Sequence, residues 1–89
     1  MARYRLRDKV LLQKVAEEMV ILDLLDGQYY GLDAVGARML ALVQEHGDCE
    51  SVVAQLAREY EANDERLRGD LDSLMGQLRE KGLVELVEQ

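Results

Sequence analysis

The sequence predicts an α+β domain in which a three-stranded antiparallel β-meander precedes three helices. Residues 10–32 hold short runs of aliphatic and β-branched residues separated by a turn signal, which is typical of strands. Residues 33–81 instead repeat their apolar residues three and four apart, the spacing of helices that cover one side of a core. A chain of 89 residues has the length of one domain.

Two strands of the meander have clear signals and one is weaker. Val10–Val15 (VLLQKV) is a short candidate, whereas residues 18–25 (EMVILDLL) are richer in β-branched and aliphatic residues. Asp26 and Gly27 form a two-residue hairpin signal, because glycine accepts the positive φ that such a tight turn requires. Residues 28–32 then return as the last strand, antiparallel to the one before.

Each of the three helices begins at a side chain that is suited to cap it. Asp33 and Asp48 precede the first two apolar stripes, and Asn63 or Asp64 precedes the third. The order of strands and helices is that of a winged helix-turn-helix relative whose sheet precedes the helices in the chain. The apolar stripes are Val35, Met39, Leu42 and Val43; Val52, Val53, Leu56, Ala57 and Tyr60; and Leu67, Leu71, Leu74, Met75 and Leu78.

The charge distribution divides the chain into a basic start and an acidic body. Residues 1–14 contain five basic residues and one acidic residue, whereas the whole chain carries a net charge of −7. We therefore expect residues 1–8 to be a flexible, solvated basic segment and residues 9–87 to form the single domain. Residues 83–87 either return as a short strand or pack as a tail. An acidic body disfavours nucleic acid and favours a partner with basic segments.

The inventory of reactive side chains argues against catalysis. His46 is the one histidine and lies at a predicted helix end without an orienting partner; Ser51 and Ser73 lie on predicted helices rather than at a nucleophile elbow. The glycines do not have the spacing of a phosphate-binding loop. Cys49 is the one cysteine, so the sequence predicts neither an internal disulfide nor a CxxC metal motif. We predict a protein that is not an enzyme and that binds no cofactor and no metal.

The hydropathy of the chain gives no sign of a membrane segment. No run approaches the roughly 18 apolar residues of a membrane span, and the basic start is not followed by a signal-type apolar segment. The sequence therefore predicts no membrane association and, by default, a cytoplasmic location.

The third helix is a poor candidate for reading DNA. Residues 64–81 hold four basic side chains against five acidic ones, whereas a recognition helix offers basic and amide groups to phosphates and bases. We therefore expect no nucleic acid partner, and a winged-helix DNA-binding regulator stays only as an alternative.

The predicted sheet is apolar on both of its faces. In MVILDLL, residues 19–25, both alternate sets of side chains are apolar apart from Asp23, whereas a half-buried strand alternates with polar residues. Both faces are therefore expected to be covered. The helices account for one face; the N-terminal segment, the tail, a second copy or a bound partner accounts for the other.

The last strand of the meander is predicted to have a free edge. Gln28, Tyr29, Tyr30 and Gly31 include no lysine or proline to guard it, and the unpaired N–H and C=O groups of an edge invite an added strand. The adjacent tyrosines point to opposite faces, so only one of them enters the core. Alternation leaves the choice open, and because Tyr30 shares a face with Leu32 we assign it to the core.

Much of the sequence resembles the PqqD-like proteins, the RiPP recognition elements. DGQYYGLDAVGARMLALV (residues 26–43) resembles their G-x-Y-Y-x-L-[ND]-x-x-G-x-x-[IM]-[WL]-x-L segment, with Asp33 for the commoner asparagine and Leu40 where an aromatic residue is frequent. DCESVVAQLAREYEANDERLRGDLDSLMGQLREKGLVE (residues 48–85) is similar to their later pattern of spaced apolar residues ending in G-L-[VI]. Within the group, the chain looks most like the small stand-alone leader-binding proteins of lasso-peptide biosynthesis.

This resemblance implies a peptide-binding function. Such proteins bind the N-terminal leader of a ribosomally synthesised precursor peptide and present it to modifying enzymes, here a leader peptidase and a cyclase. The leader adds as a strand beside the last strand of the meander and lays side chains into a groove against the third helix. A PqqD protein proper, which serves pyrroloquinoline quinone biosynthesis, is the alternative within the family.

The resemblance also implies where the peptide binds. One tyrosine of the adjacent pair is expected to fill the core and the other to line the groove. Leu67 and Leu71 lie near the start of the third helix, where they could meet an added strand, and Asp70 borders them and could meet a Lys or Arg of the leader. Leu74 is included, although it and Leu78 are also typical core positions. The implied peptide-binding residues are Gln28, Tyr29, Tyr30, Gly31, Leu67, Asp70, Leu71 and Leu74.

Overall fold

Residues 3–87 are described by the computed structural model, which contains two small sheets and three helices. The strands are β1 (Arg3–Leu6), β2 (Val10–Val15), β3 (Glu18–Asp23), β4 (Gln28–Leu32) and β5 (Val84–Val87). The helices are α1 (Ala34–His46), α2 (Cys49–Tyr60) and α3 (Asp64–Glu80). This order confirms the predicted α+β fold, with a three-stranded antiparallel sheet before three helices. None of the described helices is long and apolar enough to cross a bilayer.

The meander consists of β2, β3 and β4 in that order. In its central row, Ile21 of β3 lies opposite Leu12 of β2 and Tyr30 of β4. Side chains along a strand alternate between the two faces of the sheet. The side chains of this row, and of the rows two residues away, therefore point to one face, here called the inner face. The rows between them point to the opposite face, called the outer face. Ile21 is fully buried, so the core lies against the inner face.

The hairpin between β3 and β4 is wider than its two-residue signal predicts. β3 ends at Asp23, and Leu24 and Leu25, which the sequence predicts to continue the strand, lie in the turn. The Asp23 carboxylate accepts a hydrogen bond from the Leu25 N–H (3.0 Å), and the Asp23 carbonyl accepts one from the Gly27 N–H (2.9 Å). Gly27 has a φ of 74°, which glycine adopts without strain. Leu24 keeps one bond toward the β2 side, since its N–H donates to the Lys9 carbonyl at 2.8 Å, whereas the local bonds at Asp23 turn the chain toward β4.

β1 is a strand, whereas the sequence predicts a flexible segment over residues 1–8, the first two of which lie outside the described range. β1 pairs antiparallel with β5, which settles the tail as a strand. Tyr4 and Leu6 pack against the core, and Arg5 forms an ion pair with Glu85 of β5. The charged side chains of this segment therefore alternate with apolar ones that hold it in place.

The three helices begin at caps that the sequence predicts. Asp33, Asp48 and Asn63 each accept a hydrogen bond from a backbone N–H two or three residues ahead. α1 and α2 are also joined by Arg38, whose guanidinium donates to both carboxylate oxygens of Glu59 at 2.8 and 2.6 Å. The hydrogen bonds from Arg38 lower the pKa of Glu59 to about 2, so the pair stays charged well into the acid range.

The helices cover the inner face of the meander and enclose the core with it. Val35 departs from the predicted stripe of α1, since it is 40% exposed, whereas Ala37 and Leu40 of the same helix are buried. Val35 lies in the first turn of α1, where it lines a surface groove instead of the core. The largest fully buried side chains are Ile21, Met39, Leu40, Leu42, Val43, Val52, Leu56, Leu71, Met75, Leu83 and Val84.

Candidate functional site

β4 has one edge without a strand partner among residues 3–87. It pairs with β3 on its other side. Gln28, Tyr29 and Gly31 are exposed, and none of the five residues of β4 is a lysine or proline. The opposite edge of the meander, β2, carries Lys14 and lies two strands away. The β4 edge is therefore the less guarded of the two edges and offers backbone donors and acceptors to an added strand.

The adjacent tyrosines of β4 lie on opposite faces of the meander. Tyr30 is half-buried, packs against the core beside Ile21 and has the Lys81 ammonium 5.5 Å from its ring centroid. This agrees with the assignment of Tyr30 to the core. Tyr29 lies opposite Leu22 on the outer face and is 71% exposed. Tyr29 therefore points away from the helices and not toward a groove against α3.

A groove of about 370 Å³ lies between the start of α1 and α3, close to the end of β4; it is called the α1–α3 groove below. Its apolar members are Val35, Met39 and Leu74, and Asp33 and Asp70 contribute carboxylates. It is close to β4 because Asp33 directly follows the strand and caps α1. Such a groove accepts an apolar side chain and favours a positive charge beside it. Its lining residues are Asp33, Val35, Gly36, Met39, Asp70, Ser73, Leu74 and Gln77.

The structure divides the predicted residues of α3 between the core and the groove. Leu67 and Leu71 are buried in the core, which corrects their expected position against an added strand. Leu74 is half-buried and lines the α1–α3 groove with the exposed Asp70. A helix turns about 100° per residue, so Leu74 lies about 60° from Leu71 on one side and Met75 about 40° on the other. The centre of the apolar stripe therefore enters the core and only its Leu74 side reaches the groove.

Sequence reasoning missed the α1 side of this groove. The sequence predicts Met39 to be a core residue, and it is almost fully buried, yet it also forms part of the groove lining. Gly36 leaves room between the two helices, since a Cβ there would lie 3.1 Å from Asp33 Oδ1 and 3.8 Å from Leu74 Cδ2. The one signal of this groove wall in the sequence is the G-x-x-[IM] spacing of the family pattern. It marks Gly36 and Met39 but does not indicate that they line a groove.

The described residues offer a binding surface and little reactive chemistry. No group of three or more His, Cys, Asp or Glu side chains in residues 3–87 is arranged to hold a metal ion. Cys49 is buried, and burial raises the pKa of its thiol, which disfavours the reactive thiolate. What the β4 edge and the α1–α3 groove offer is backbone donors and acceptors beside an apolar surface, the groups used in noncovalent recognition.

Comparisons with known proteins agree with the resemblance seen in the sequence. Residues 18–84 match the PqqD family model, described as coenzyme PQQ synthesis protein D. The chain is similar to a solved structure of TbiB1 in complex with the TbiA(beta) leader peptide, with 33% identity over 91% of this chain and 94% of that chain and a TM-score of 0.82. It is also similar to a lasso peptide synthetase B1 complexed with the leader peptide, with 26% identity, coverage of 94% and 99%, and a TM-score of 0.84. A comparison with curated protein sequences found no significant match.

Truncation of the two neighbouring leucines of α3 should separate core from groove. Leu71→Ala should lower the free energy of unfolding by about 2–5 kcal/mol, because it leaves a cavity in the core. Leu74→Ala should lower it by about 1 kcal/mol or less, since a half-exposed side chain leaves no closed cavity. Urea denaturation followed by circular dichroism measures both values. Equal losses would contradict the assignment of Leu74 to the groove.

Proposed function

The chain belongs to the PqqD family, and we propose that it is a non-catalytic adaptor that binds the leader of a ribosomally synthesised precursor peptide of the lasso class. The observation that carries this proposal is the unpaired edge of β4 next to the α1–α3 groove. Both similar solved structures hold a leader peptide, and one of them is more than 30% identical to this chain. We place the adaptor in the cytoplasm, where a ribosomally made precursor is first available.

The leader binds by strand addition along β4. Main-chain hydrogen bonds to residues 28–32 hold the peptide in register, and they form with any sequence except proline. Such bonds therefore supply affinity without discrimination. Specificity comes from the side chains of the bound strand, of which every second one faces the helices.

The α1–α3 groove receives the side chains that face the helices. Val35 and Leu74 offer partly exposed apolar surface, so an apolar leader residue is buried between them. Asp70 is exposed and is 3.8 Å from Arg66, a weak pair that leaves the carboxylate open to a leader Lys or Arg. The Asp33 carboxylate is held in place by its cap bond to the Gly36 N–H at 2.7 Å.

The adaptor presents the bound precursor to separate enzymes, a leader peptidase and a cyclase. We assign no bond-making or bond-breaking step to the chain itself, because the site consists of a strand edge and an apolar groove. By holding the leader, the adaptor raises the local concentration of the attached substrate segment at an enzyme that binds the adaptor as well.

A role in coenzyme PQQ synthesis is the second candidate, because the matching family model is described by that role. The same strand edge and groove serve either function, so the peptide that binds decides between them. The lasso class is favoured by the two similar solved structures.

Direct titration tests the proposed function. A synthetic peptide with the sequence of the leader encoded beside the gene of this chain should bind saturably with one peptide per chain in isothermal titration calorimetry. A scrambled peptide of the same composition is the control, and it should bind much more weakly because its side chains no longer match the groove. Failure of every leader from a lasso-type precursor gene nearby would refute the proposal, and selective binding of a PQQ precursor peptide would establish the second candidate.

Hydrogen exchange tests strand addition at β4. In an edge strand, every second residue directs its N–H to the existing neighbour and the others point to the free edge. Addition of the leader should therefore slow amide exchange at alternate residues of Gln28–Leu32, while the intervening amides, already bonded to β3, change little. The amides at the free edge of β2 are the internal control and should be unaffected. Protection that appears at β2 instead of β4 would place the leader at the wrong edge for this mechanism.

Paired substitutions in α3 test the chemistry of the α1–α3 groove. Leu74→Ala should weaken leader binding by about 2 kcal/mol, the scale of a truncated apolar anchor, with little dependence on salt. Asp70→Asn should cost about 0–1 kcal/mol, and its effect should shrink at high salt because exposed charge pairs are screened. Asp72→Asn removes the same charge from another side of the helix and serves as the matched control. A salt-sensitive loss for Leu74→Ala, or a loss for Asp72→Asn equal to that for Asp70→Asn, would show that the groove is assigned wrongly.

A further inference from the structure

The outer face of the meander carries apolar side chains that the described residues leave open. Leu11, Leu22 and Tyr29 lie directly opposite one another across the three strands. Leu11 is 46% exposed and Tyr29 is 71% exposed, whereas the core lies against the other face. The exposed aromatic side chain lies on β4, the same strand that has the unpaired edge.

A hollow of about 470 Å³ lies on this outer face next to Tyr29. Val15, Val20, Leu22 and Tyr29 give it apolar walls, and it is here called the outer hollow. Its other lining residues are Gln13, Ala16, Glu17 and Glu18. Glu17 lies in the turn between β2 and β3 and Glu18 is the first residue of β3, so acidic side chains line one end of the hollow, whereas Leu22 and Tyr29 line the other.

Gly31 is the residue of β4 that separates Val20 of the outer hollow from the free edge. It lies opposite Val20 in the register and shares the outer face with Tyr29, two residues before it. A Cβ at Gly31 would meet no atom within 4 Å, and its φ is not positive. Neither the backbone nor crowding therefore requires glycine here, although glycine weakens a strand. Because Gly31 has no side chain, space is open from the free edge to the outward margin of Val20, which is itself 7% exposed; this space is called the passage below.

A strand added to β4 places a side chain at this passage. Neighbouring strands lie about 4.8 Å apart, so the added strand is about 9.6 Å from β3, within reach of a long side chain that lies across a glycine. Large side chains opposite a glycine pack over it, an arrangement known as aromatic rescue in sheets. The outward residue of the peptide opposite Gly31 then contacts the Tyr29 ring on one side and Val20 below.

From this arrangement we infer that a bound leader contacts both faces of the sheet. On the outer face, a large apolar or aromatic side chain of the leader crosses Gly31 and packs against Tyr29 and Val20. The inference rests on the proposed function and names a second specificity site for the same peptide. Tyr29 thereby receives a role distinct from that of Tyr30, because the two tyrosines serve opposite faces of one strand. The leader needs two anchors whose positions differ by an odd number, one for the groove and one for the outer hollow, because such positions point to opposite faces of a strand.

The leader fits this face better than a second copy of the chain does. A second copy carries the same net charge of −7, and a symmetric pairing of outer faces would bring like charges such as Glu17 and Glu18 toward each other. The passage over Gly31 also opens at the edge of β4, where the proposed peptide lies. Since it arises from one missing side chain, it suits a single side chain of a peptide.

Filling the passage provides the sharpest test. Gly31→Thr should leave the fold intact or more stable in urea denaturation, because the added atoms meet open space and threonine favours strands. The same variant should bind the co-encoded synthetic leader about tenfold more weakly, the scale of losing one anchor contact. Tyr29→Ser should give a similar loss. Leu11→Ser is the matched control, because Leu11 is exposed on the same face but two strands from β4, and it should bind like the parent.

The peptide supplies the complementary half of the test. An alanine scan of the leader should reveal sensitive positions of both parities along the strand, and one outward position should couple to Gly31. With alanine at that position, the parent and Gly31→Thr should bind equally, because no long side chain remains to be excluded.

Three results would overturn the inference. Parent-like leader binding by both Gly31→Thr and Tyr29→Ser would show that the outer face is not read, while leaving the proposed function intact. Equal losses for Leu11→Ser and Tyr29→Ser, or a change in self-association on sedimentation of Tyr29→Ser, would show that the face docks another surface. No leader binding by the parent protein would remove the proposed function and this inference together.

Discussion

The pairing of β3 with strands on both sides is the constraint on which the rest of the structure depends. β3 is the central strand of the meander, and its fully buried Ile21 fixes which face is the inner one. Because strand side chains alternate strictly, that one choice also determines the orientation of Tyr29 and Tyr30 on β4. A slip of one residue in the β3–β4 register would place Tyr29 on the inner face and Tyr30 on the outer face. The two surfaces assigned to the peptide therefore depend on the same register.

The helices convert the edge of β4 into a site with a defined shape. Asp33 directly follows β4 and caps α1, so the start of α1 is tied to the end of the edge strand. Gly36 of α1 then leaves space toward the Leu74 side chain of α3, and both residues line the groove. An added strand thus meets a groove whose walls are already built into the fold. Such preorganisation limits the ordering that binding requires of the protein, although the peptide itself must still be ordered.

The sequence predicts the parts of this fold that arise from local signals. The helix caps Asp33, Asp48 and Asn63 and the glycine turn at Gly27 depend on neighbours within a few residues, and all four lie where the pattern indicates. β1 was missed because its partner β5 is about 80 residues away, and a basic segment resembles a solvated end until that partner is known.

The site is less predictable because it depends on which part of an apolar stripe faces which neighbour. Leu67, Leu71 and Leu74 look alike in the sequence, and only the packing of α3 against α1 and α2 separates the two core residues from the groove residue. The exposure of Tyr29 was similarly left open by alternation, which shows that two tyrosines differ in face without showing which face is buried.

The charges of the chain act on a longer range than either specificity surface. The basic residues of β1 are partly neutralised at short distance, since Arg5 pairs with Glu85 and Arg3 lies 3.9 Å from Asp48. The remaining surface is acidic, and at physiological salt its field extends about 8 Å into solvent. Such a field favours the approach of a basic peptide before any contact forms, which raises the association rate more than the final affinity. In the proposed mode of binding, backbone pairing at β4 accepts any strand, so the side chains of the peptide must supply the specificity. A sheet edge with a usable surface on both faces can contact every residue of the bound strand instead of every second one.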